Sequence, residues 1–183
     1  MRIVAGKHRG LSLQAPKGLE TRPTADRVRE AIFSSIQFRL PGARVLDAFA
    51  GTGAMGLEAL SRGAESVVFC EQSKAARVVL EHNIARAGEG DRAQVVAGDV
   101  LAQLKSGRIK GPFDLIFLDP PYRANLYESV LDIINHGHFL AKDGLIVAES
   151  AKKALFSLND RVFLIYKQKS YGDTRITYLI HNK

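Results

Sequence analysis

The chain has 183 residues, 46% of them hydrophobic and 25% charged. This length and composition suit one globular domain and exclude an intrinsically disordered or low-complexity protein. With 26 Lys and Arg against 19 Asp and Glu, the formal net charge is +7, which suggests an acidic partner such as a nucleic acid.

Most of the positive charge lies in the first 40 residues. Residues 1–40 hold eight Lys and Arg against three Asp and Glu, whereas residues 41–183 hold 18 against 16. Alternating apolar residues on either side of a turn at residues 8–10 predict a short hairpin near the N-terminus. A basic segment on a nearly neutral body is typical of a phosphate-binding surface, although a solvated face that keeps the protein soluble has the same composition.

A helix is predicted to follow a loop at residues 16–23. Thr24 is the expected N-cap, and the helix should continue to about residue 40. Val28, Ile32 and Ile36 recur at helical spacing, so this helix should bury one apolar face.

The rest of the chain alternates short strands with helices, which predicts a doubly wound α/β sheet. Apolar strands without alternation suit the middle of a parallel sheet covered on both faces. A turn at residues 170–173 joins the last two strands, so these should form an antiparallel pair at the C-terminal end. Strands are predicted at residues 43–48, 67–70, 93–97, 113–118, 144–149, 162–168 and 175–181, and helices at residues 54–62, 74–87, 101–105 and 126–135.

The first predicted strand leads into a helix through a glycine turn. Residues 51–56 match Gly-x-Gly-x-x-Gly, a pattern that lets a backbone approach a ligand and that also occurs at pyrophosphate sites of dinucleotide-binding enzymes. Asp47, at the end of the strand, would repel a pyrophosphate but attract the ammonium group of an amino-acid moiety. The loop therefore favours S-adenosylmethionine, while a nicotinamide dehydrogenase stays an alternative.

Two further acidic residues end the next two predicted strands. Glu71 is placed where a carboxylate accepts hydrogen bonds from ribose hydroxyls, and Asp99 where it accepts from an adenine amino group, with Val100 beside the ring. Each acid would equally serve as the cap of the helix that follows. Three acids at three successive strand ends favour a cofactor site.

The fourth strand is followed by Asp119-Pro120-Pro121-Tyr122. Two prolines make a stiff loop with few amide donors. An exocyclic amine of a nucleobase is a weak nucleophile, so hydrogen bonds from it to the Asp119 carboxylate and the Pro120 carbonyl would aim its lone pair at a methyl sulfonium, while Tyr122 stacks on the base. We therefore predict these four residues as the catalytic group.

These motifs together resemble the class I S-adenosylmethionine-dependent methyltransferases that act on exocyclic or amide nitrogens. Residues 22–30, the segment 6–10 before them and the segment 171–174 near the C-terminus narrow the resemblance to the ribosomal RNA small subunit methyltransferase D family, over nearly the whole chain. The resemblance implies a Rossmann-like, mostly parallel seven-stranded sheet with an antiparallel last strand. It also implies methyl transfer to a guanine N2 of bacterial small-subunit ribosomal RNA during subunit assembly.

The expected organisation is a single methyltransferase domain over residues 1–183. Residues 1–40 would form a basic RNA-binding extension with a hairpin and a helix, and residues 41–183 a cofactor-binding catalytic core. The predicted cofactor-binding residues are Asp47, Phe49, Gly51, Thr52, Gly53, Glu71, Gln72, Asp99, Val100 and Asp119. The predicted RNA contacts are Lys7, His8, Arg9, Arg22, Arg27, Arg29 and Arg123.

Several alternatives and absences complete the prediction. A related Pro-Pro loop also serves methylation of adenine N6 or of a protein glutamine, and a non-catalytic RNA-binding domain would explain the basic extension alone. The single cysteine excludes an internal disulfide, and the histidines lack the spacing of a zinc site, so we expect no metal. Because the chain has neither an apolar run of ~18 residues nor a signal peptide, we expect a cytoplasmic protein. We also expect a monomer.

Overall fold

A computed structural model describes residues 1–15, 23–120, 126–153 and 161–182. Within these ranges the chain forms one mixed sheet with helices on both faces. The strands are Arg44–Asp47 (β1), Ser66–Glu71 (β2), Ala93–Ala97 (β3), Phe113–Leu118 (β4), Leu140–Ala151 (β5), Phe163–Tyr171 (β6) and Thr174–His181 (β7). The helices are Pro23–Ser35 (α1), Ala54–Ser61 (α2), Lys74–Ala87 (α3), Val100–Lys105 (α4) and Leu126–His136 (α5).

The seven strands are arranged in the order β3-β2-β1-β4-β5-β7-β6. Strands β1 to β5 pair in parallel, and β7 is antiparallel to both β5 and β6. The predicted doubly wound sheet and its antiparallel last strand are therefore confirmed. Parallel pairing places the carboxyl ends of β1, β2, β3, β4 and β5 on one edge, where ligands of such sheets bind.

The central strands are buried on both faces, which explains their uniformly apolar sequences. On β1, Val45 packs into a cluster with residues of α1, α2 and α3, whereas its neighbour Leu46 packs into a second cluster with residues of α4 and α5. Both side chains are fully buried. Successive side chains of a strand point to opposite faces of the sheet, so the core forms two layers, one on each face. These layers support the sheet beneath its ligand-binding edge.

Helix α1 differs from the prediction at both ends. It begins at Pro23, so Thr24 lies inside the helix and is not its N-cap. Proline needs no hydrogen-bond partner for its nitrogen in the first turn of a helix, so it can start one. The helix ends at Ser35, whose hydroxyl donates to the Ala31 carbonyl oxygen at 2.9 Å, and a 3-10 turn at Gln37–Arg39 takes the place of the predicted last turn.

The N-terminal extension packs directly on the core. Residues 1–15 form a hairpin-like segment with one antiparallel bridge, between Arg2 and Ser12. The buried cluster that includes Val45 of β1 also contains Ile3 and Leu13 of this segment and Ile32 of α1. The extension is therefore distinguished from the core by its charge, and it shares the hydrophobic core of the sheet.

A buried carboxylate on α2 fixes this segment. The Glu58 side chain has 0% exposure and accepts the amide N–H groups of Val4 at 2.7 Å and Ala5 at 3.1 Å. It also accepts from Arg62 Nε at 2.7 Å, and Arg29 Nε lies 3.9 Å from its other oxygen. A buried charge with this many donors is satisfied, and it links the extension to the glycine-turn helix.

Two further buried side chains hold the N-terminal segment in place: Asn83 of α3 and Glu89 of the turn after α3. Asn83 accepts the Gln14 amide at 2.8 Å and donates to the carbonyl oxygens of Gln14 and Thr52 at 3.1 and 3.0 Å. Glu89 binds the ring of His8 and the guanidinium of Arg92. Asn83 therefore connects the extension to the loop at Thr52.

Replacing Glu58 with alanine should detach the hairpin-like segment. The change leaves two partly buried amides and the Arg62 guanidinium without their acceptor and removes one of the two carboxylates beside Arg29, so we expect the free energy of unfolding to fall by about 3 kcal/mol. Urea denaturation measures this value. Glu81→Ala, at an exposed site on α3, is the matched control and should change it by less than about 0.5 kcal/mol. Equal effects of the two substitutions would contradict the role given to Glu58.

No helix in the described part of the chain combines the length and hydrophobicity needed to cross a membrane.

Candidate functional site

Asp47 ends β1 and lies beneath the glycine loop. Its side chain is buried, and Oδ2 accepts the Gly56 N–H at 3.0 Å. Burial raises the pKa of the Asp47 carboxyl from 3.8 to about 7; the Gly56 hydrogen bond lowers this pKa, and the charges of Asp119 and Glu71 raise it. A carboxyl group in such surroundings gains strongly from a cationic ligand, so its chemistry fits an ammonium group.

A side chain would meet different surroundings at each of the three glycines of the loop. Gly53 has φ +83°, and a Cβ there would lie 2.4 Å from Leu80 Cδ1. A Cβ on Gly56 would lie 2.2 Å from Phe69 Cε1, so this glycine lets α2 pack closely on β2. A Cβ on Gly51 would meet nothing within 4 Å. Gly53 and Gly56 are thus explained by packing, and the loop is open to a ligand at Gly51.

Glu71 and Asp99 both hold backbone amides. Glu71 accepts the Gly51 N–H at 2.8 Å and the Ser73 N–H at 2.7 Å, which fixes the glycine loop against the end of β2. Asp99 is exposed and caps α4 by accepting the Ala102 N–H at 3.0 Å. The capping role considered for these acids is therefore real for Asp99. Each carboxylate still has lone pairs available for a ligand.

A cavity of about 640 Å³ lies over the carboxyl ends of the strands. It brings together seven of the predicted site residues, from the ends of β1, β2, β3 and β4. Its lining residues are Ala48, Phe49, Cys70, Glu71, Gln72, Gly98, Asp99, Val100, Asp119, Pro120, Leu126 and Glu149. Burial raises the pKa of the Cys70 thiol to about 12, so this cysteine is a packing residue and not a nucleophile.

A second cavity of about 220 Å³ adjoins the first. Phe49, Asp119 and Glu149 line both cavities. The other lining residues come from the glycine loop, from the sheet and from the extension: Met1, Ile32, Asp47, Ala50, Gly51, Thr52, Ala54, Met55, Phe117, Leu118 and Val147. The extension therefore forms part of the wall of the site.

Asp119 follows β4 at the junction of the two cavities. Its side chain is open to solvent within the cleft, yet desolvation by the surrounding protein raises the pKa of its carboxyl above the ordinary value. Pro120 is buried behind it. The other two predicted catalytic residues, Pro121 and Tyr122, lie outside the described residues, as do the predicted RNA contacts Arg22 and Arg123.

Glu149 is the site residue that the sequence prediction missed. It follows Ala148 on β5, and Ala148 pairs with Leu118, so Glu149 lies beside Asp119, which comes directly after the end of β4. Desolvation and the charge of Asp119 raise the pKa of the Glu149 carboxyl. The signal was present in the sequence, because Glu149 ends the strand predicted at residues 144–149; in the structure β5 continues to Ala151.

Some of the residues predicted to contact RNA are exposed, and others are already bound to carboxylates of the protein. Lys7, Arg9 and Arg27 are exposed and can reach a partner; the Lys7 ammonium also lies 3.7 Å from Glu89. Arg29 does not support an RNA contact: it is 4% exposed and donates to Asp26 Oδ1 at 3.0 Å and to the Arg2 carbonyl oxygen. His8 is turned toward the buried Glu89. In both cases a carboxylate of the protein takes the place that an RNA phosphate would have.

Within the described ranges, no group of three or more His, Cys, Asp or Glu side chains is placed to hold a metal ion.

Comparison with known proteins identifies the family. Residues 1–180 match the family described as Conserved hypothetical protein 95. Ribosomal RNA small subunit methyltransferase D of Escherichia coli is 38% identical over 151 residues, which are 82% of this chain and 74% of that protein. The chain belongs to the ribosomal RNA small subunit methyltransferase D family. The Haemophilus influenzae member of the family is 35% identical over 94% of this chain and 89% of its own length.

Structural similarity agrees with membership in the ribosomal RNA small subunit methyltransferase D family. The solved structure of the Escherichia coli protein yhhF has a TM-score of 0.88 and 34% identity, and the match covers 100% of this chain and 98% of that one. The recognised resemblance and the class I methyltransferase fold are thereby confirmed. Membership in this family favours methyl transfer over the dehydrogenase and the non-catalytic RNA-binding domain.

Proposed function

We propose that this protein transfers the methyl group of S-adenosylmethionine to the exocyclic N2 of a guanine in small-subunit ribosomal RNA, in the cytoplasm during subunit assembly. The observation that carries the proposal is the meeting of two cavities at Asp119. One is lined by the strand-end acids Glu71 and Asp99, and the other by Asp47, the glycine loop and two apolar residues of the extension, Met1 and Ile32. The names of the family relatives support the RNA substrate.

The acids around the two cavities fit the donor. Asp47 would attract its ammonium group, Glu71 would accept from its ribose hydroxyls, and Asp99 with Val100 would hold its adenine. When bound, S-adenosylmethionine supplies a methyl group on a positively charged sulfur, which is an activated electrophile. Because the electrophile is already activated, the protein contributes mainly alignment, an effect worth on the order of 7–11 kcal/mol for well-oriented reactants.

Asp119 and Pro120 would orient the acceptor amine. The Asp119 carboxylate and the Pro120 carbonyl oxygen accept its two N–H groups, so the nitrogen lone pair points away from them and toward the methyl carbon. Pro120 is buried and fixed in φ, and this rigidity keeps its carbonyl in place. A target base stacked in an RNA helix must leave the stack to reach this position.

Binding measurements on the purified protein test the proposed cofactor and reaction. Isothermal titration calorimetry should show binding of S-adenosylmethionine and none of NADH. With tritiated S-adenosylmethionine, small subunits from cells that lack this gene should accept label in guanine. RNA binding without S-adenosylmethionine binding would instead support the non-catalytic alternative.

The exposed arginines of the extension should contribute charge to RNA binding. Replacing Arg9 and Arg27 together with alanine should weaken RNA binding and reduce the slope of log Kd against log salt concentration by about 2, since each phosphate contact contributes ~0.7–0.9. Fluorescence anisotropy with small-subunit ribosomal RNA measures this slope. The control is Arg108→Ala, an exposed arginine before β4 at the opposite edge of the sheet. A slope equal to that of the wild type would remove both arginines from the RNA surface.

A further inference from the structure

We propose that Glu149 accepts the N1–H of the target guanine and thereby selects guanine among the amines that the Asp119 loop can hold. This inference rests on the proposed function and assigns the specificity of the same site. It starts from a residue that is not part of the Asp-Pro-Pro-Tyr motif and that belongs to a different strand.

The position of Glu149 makes it the neighbour of the reacting amine. Leu118 and Ala148 are paired across β4 and β5; the next residues along the chain are Asp119, directly after the end of β4, and Glu149, within β5. Neighbouring strands are ~4.8 Å apart, a distance suited to two adjacent donors of one base. Both residues line both cavities, and Glu149 is half-buried.

The described residues supply no hydrogen-bond donor to the Asp119 or the Glu149 carboxyl group. Among residues 1–15, 23–120, 126–153 and 161–182, no hydrogen bond or ion pair joins a donor to the Asp119 or Glu149 carboxylate. Glu149 is half-buried and Asp119 lies in the open cleft, so both acceptors remain available to a ligand with N–H groups. The Glu149 backbone is held in place by the Tyr127 hydroxyl, which donates to its carbonyl oxygen.

Guanine has the donor pattern that this pair requires. Its N2 amine lies next to N1–H, so Asp119 can accept from the amine while Glu149 accepts from N1–H. The N6 amine of adenine has the N1 acceptor beside it, and a glutamine amide has its own carbonyl oxygen there. In its ionised form the Glu149 carboxylate would repel either acceptor, whereas Asp119 and Pro120 could hold each of the three nitrogen groups.

The test uses a base analogue that keeps the amine and loses the N1–H. The probe is small-subunit ribosomal RNA, assembled into particles, with either guanine or 2-aminopurine at the position that the wild-type protein methylates. The wild-type enzyme should prefer guanine by about 100-fold in kcat/KM, because one well-made base contact discriminates by ~1–3 kcal/mol. For Glu149→Gln, whose amide can donate to the unprotonated N1, the preference should fall below about 5-fold.

A change in this ratio separates base recognition from a structural role, since a misplaced strand would slow both substrates equally. Glu65→Gln, an exposed glutamate before β2 at the other edge of the sheet, is the matched control and should keep the wild-type ratio. Equal rates of the wild type on the two bases, or an unchanged ratio in Glu149→Gln, would overturn the inference and leave the proposed function intact. No methyl transfer to RNA by the wild type would overturn both.

Discussion

The Asp119→Asn enzyme should bind S-adenosylmethionine and yet hardly methylate RNA. The substitution removes the negative charge of the acceptor, so the remaining amide oxygen stabilises the positive charge that develops on the reacting amine less well, while the cavity keeps its shape. We expect kcat to fall by about 10²–10³, as for the loss of one well-placed electrostatic contact at a reaction centre. Calorimetry should find Kd for S-adenosylmethionine within about 5-fold of the wild type.

Asp114→Asn is the control for this change, because Asp114 is on β4, the strand that leads to Asp119, but its carboxylate accepts the Arg44 amide at 2.8 Å, away from both cavities. It should keep wild-type kcat. If Asp119→Asn lost cofactor binding and activity together, Asp119 would be a cofactor residue and the orienting role would be wrong.

The Asp47→Asn protein should be more stable than the wild type above pH 7 and should bind S-adenosylmethionine about 100-fold more weakly. The weaker binding follows from the loss of a buried carboxylate that attracts an ammonium group; a hydrogen bond to a charged group contributes ~1.5–3 kcal/mol. The asparagine oxygen can still accept the Gly56 N–H, so the loop should keep its conformation.

The stability gain follows from the raised pKa of Asp47. The carboxyl titrates at about 7 in the folded protein and ordinarily at 3.8. Between these values the folded state holds a proton that the unfolded state has lost, so the free energy of unfolding of the wild type decreases as pH rises. The difference corresponds to up to about 4 kcal/mol above pH 7, which asparagine avoids.

Thermal unfolding of the ligand-free protein from pH 4 to pH 8 measures this effect. The wild type should lose stability over the interval, and Asp47→Asn should lose up to about 4 kcal/mol less; some loss remains in the variant, because it keeps the raised pKa values of Asp119 and Glu149. The exposed Asp91→Asn should follow the wild-type profile. A wild-type profile that rises from pH 4 to pH 7 would contradict the burial effect at Asp47.

The strands and the acids at their ends could be predicted because they follow from local sequence patterns. Apolar runs such as residues 113–118 predict buried strands, and acids at strand ends predict the ligand-binding edge. Asp47, Glu71 and Asp119 consequently line the predicted site. Glu149 shows the same pattern, and it was missed because the prediction considered only the strands before the Pro-Pro loop.

What could not be predicted depends on contacts between distant residues. Glu58 looks like an ordinary helix residue, and only the fold reveals that it accepts amides 53 and 54 positions away. Arg29 was expected at an RNA surface, but a helix has one buried face, and Arg29 lies on it beside Asp26 and Glu58. Charge composition identifies a basic segment without showing which of its cations are already paired.

The most direct test is nucleoside mass spectrometry of small-subunit ribosomal RNA from cells with and without this gene. The RNA of the deletion strain should lack one N2-methylguanosine per subunit, and expression of the wild type, but not of Asp119→Asn, should restore it. An unchanged amount of N2-methylguanosine in the deletion strain, or the loss of a different methylated nucleoside, would contradict the proposed reaction.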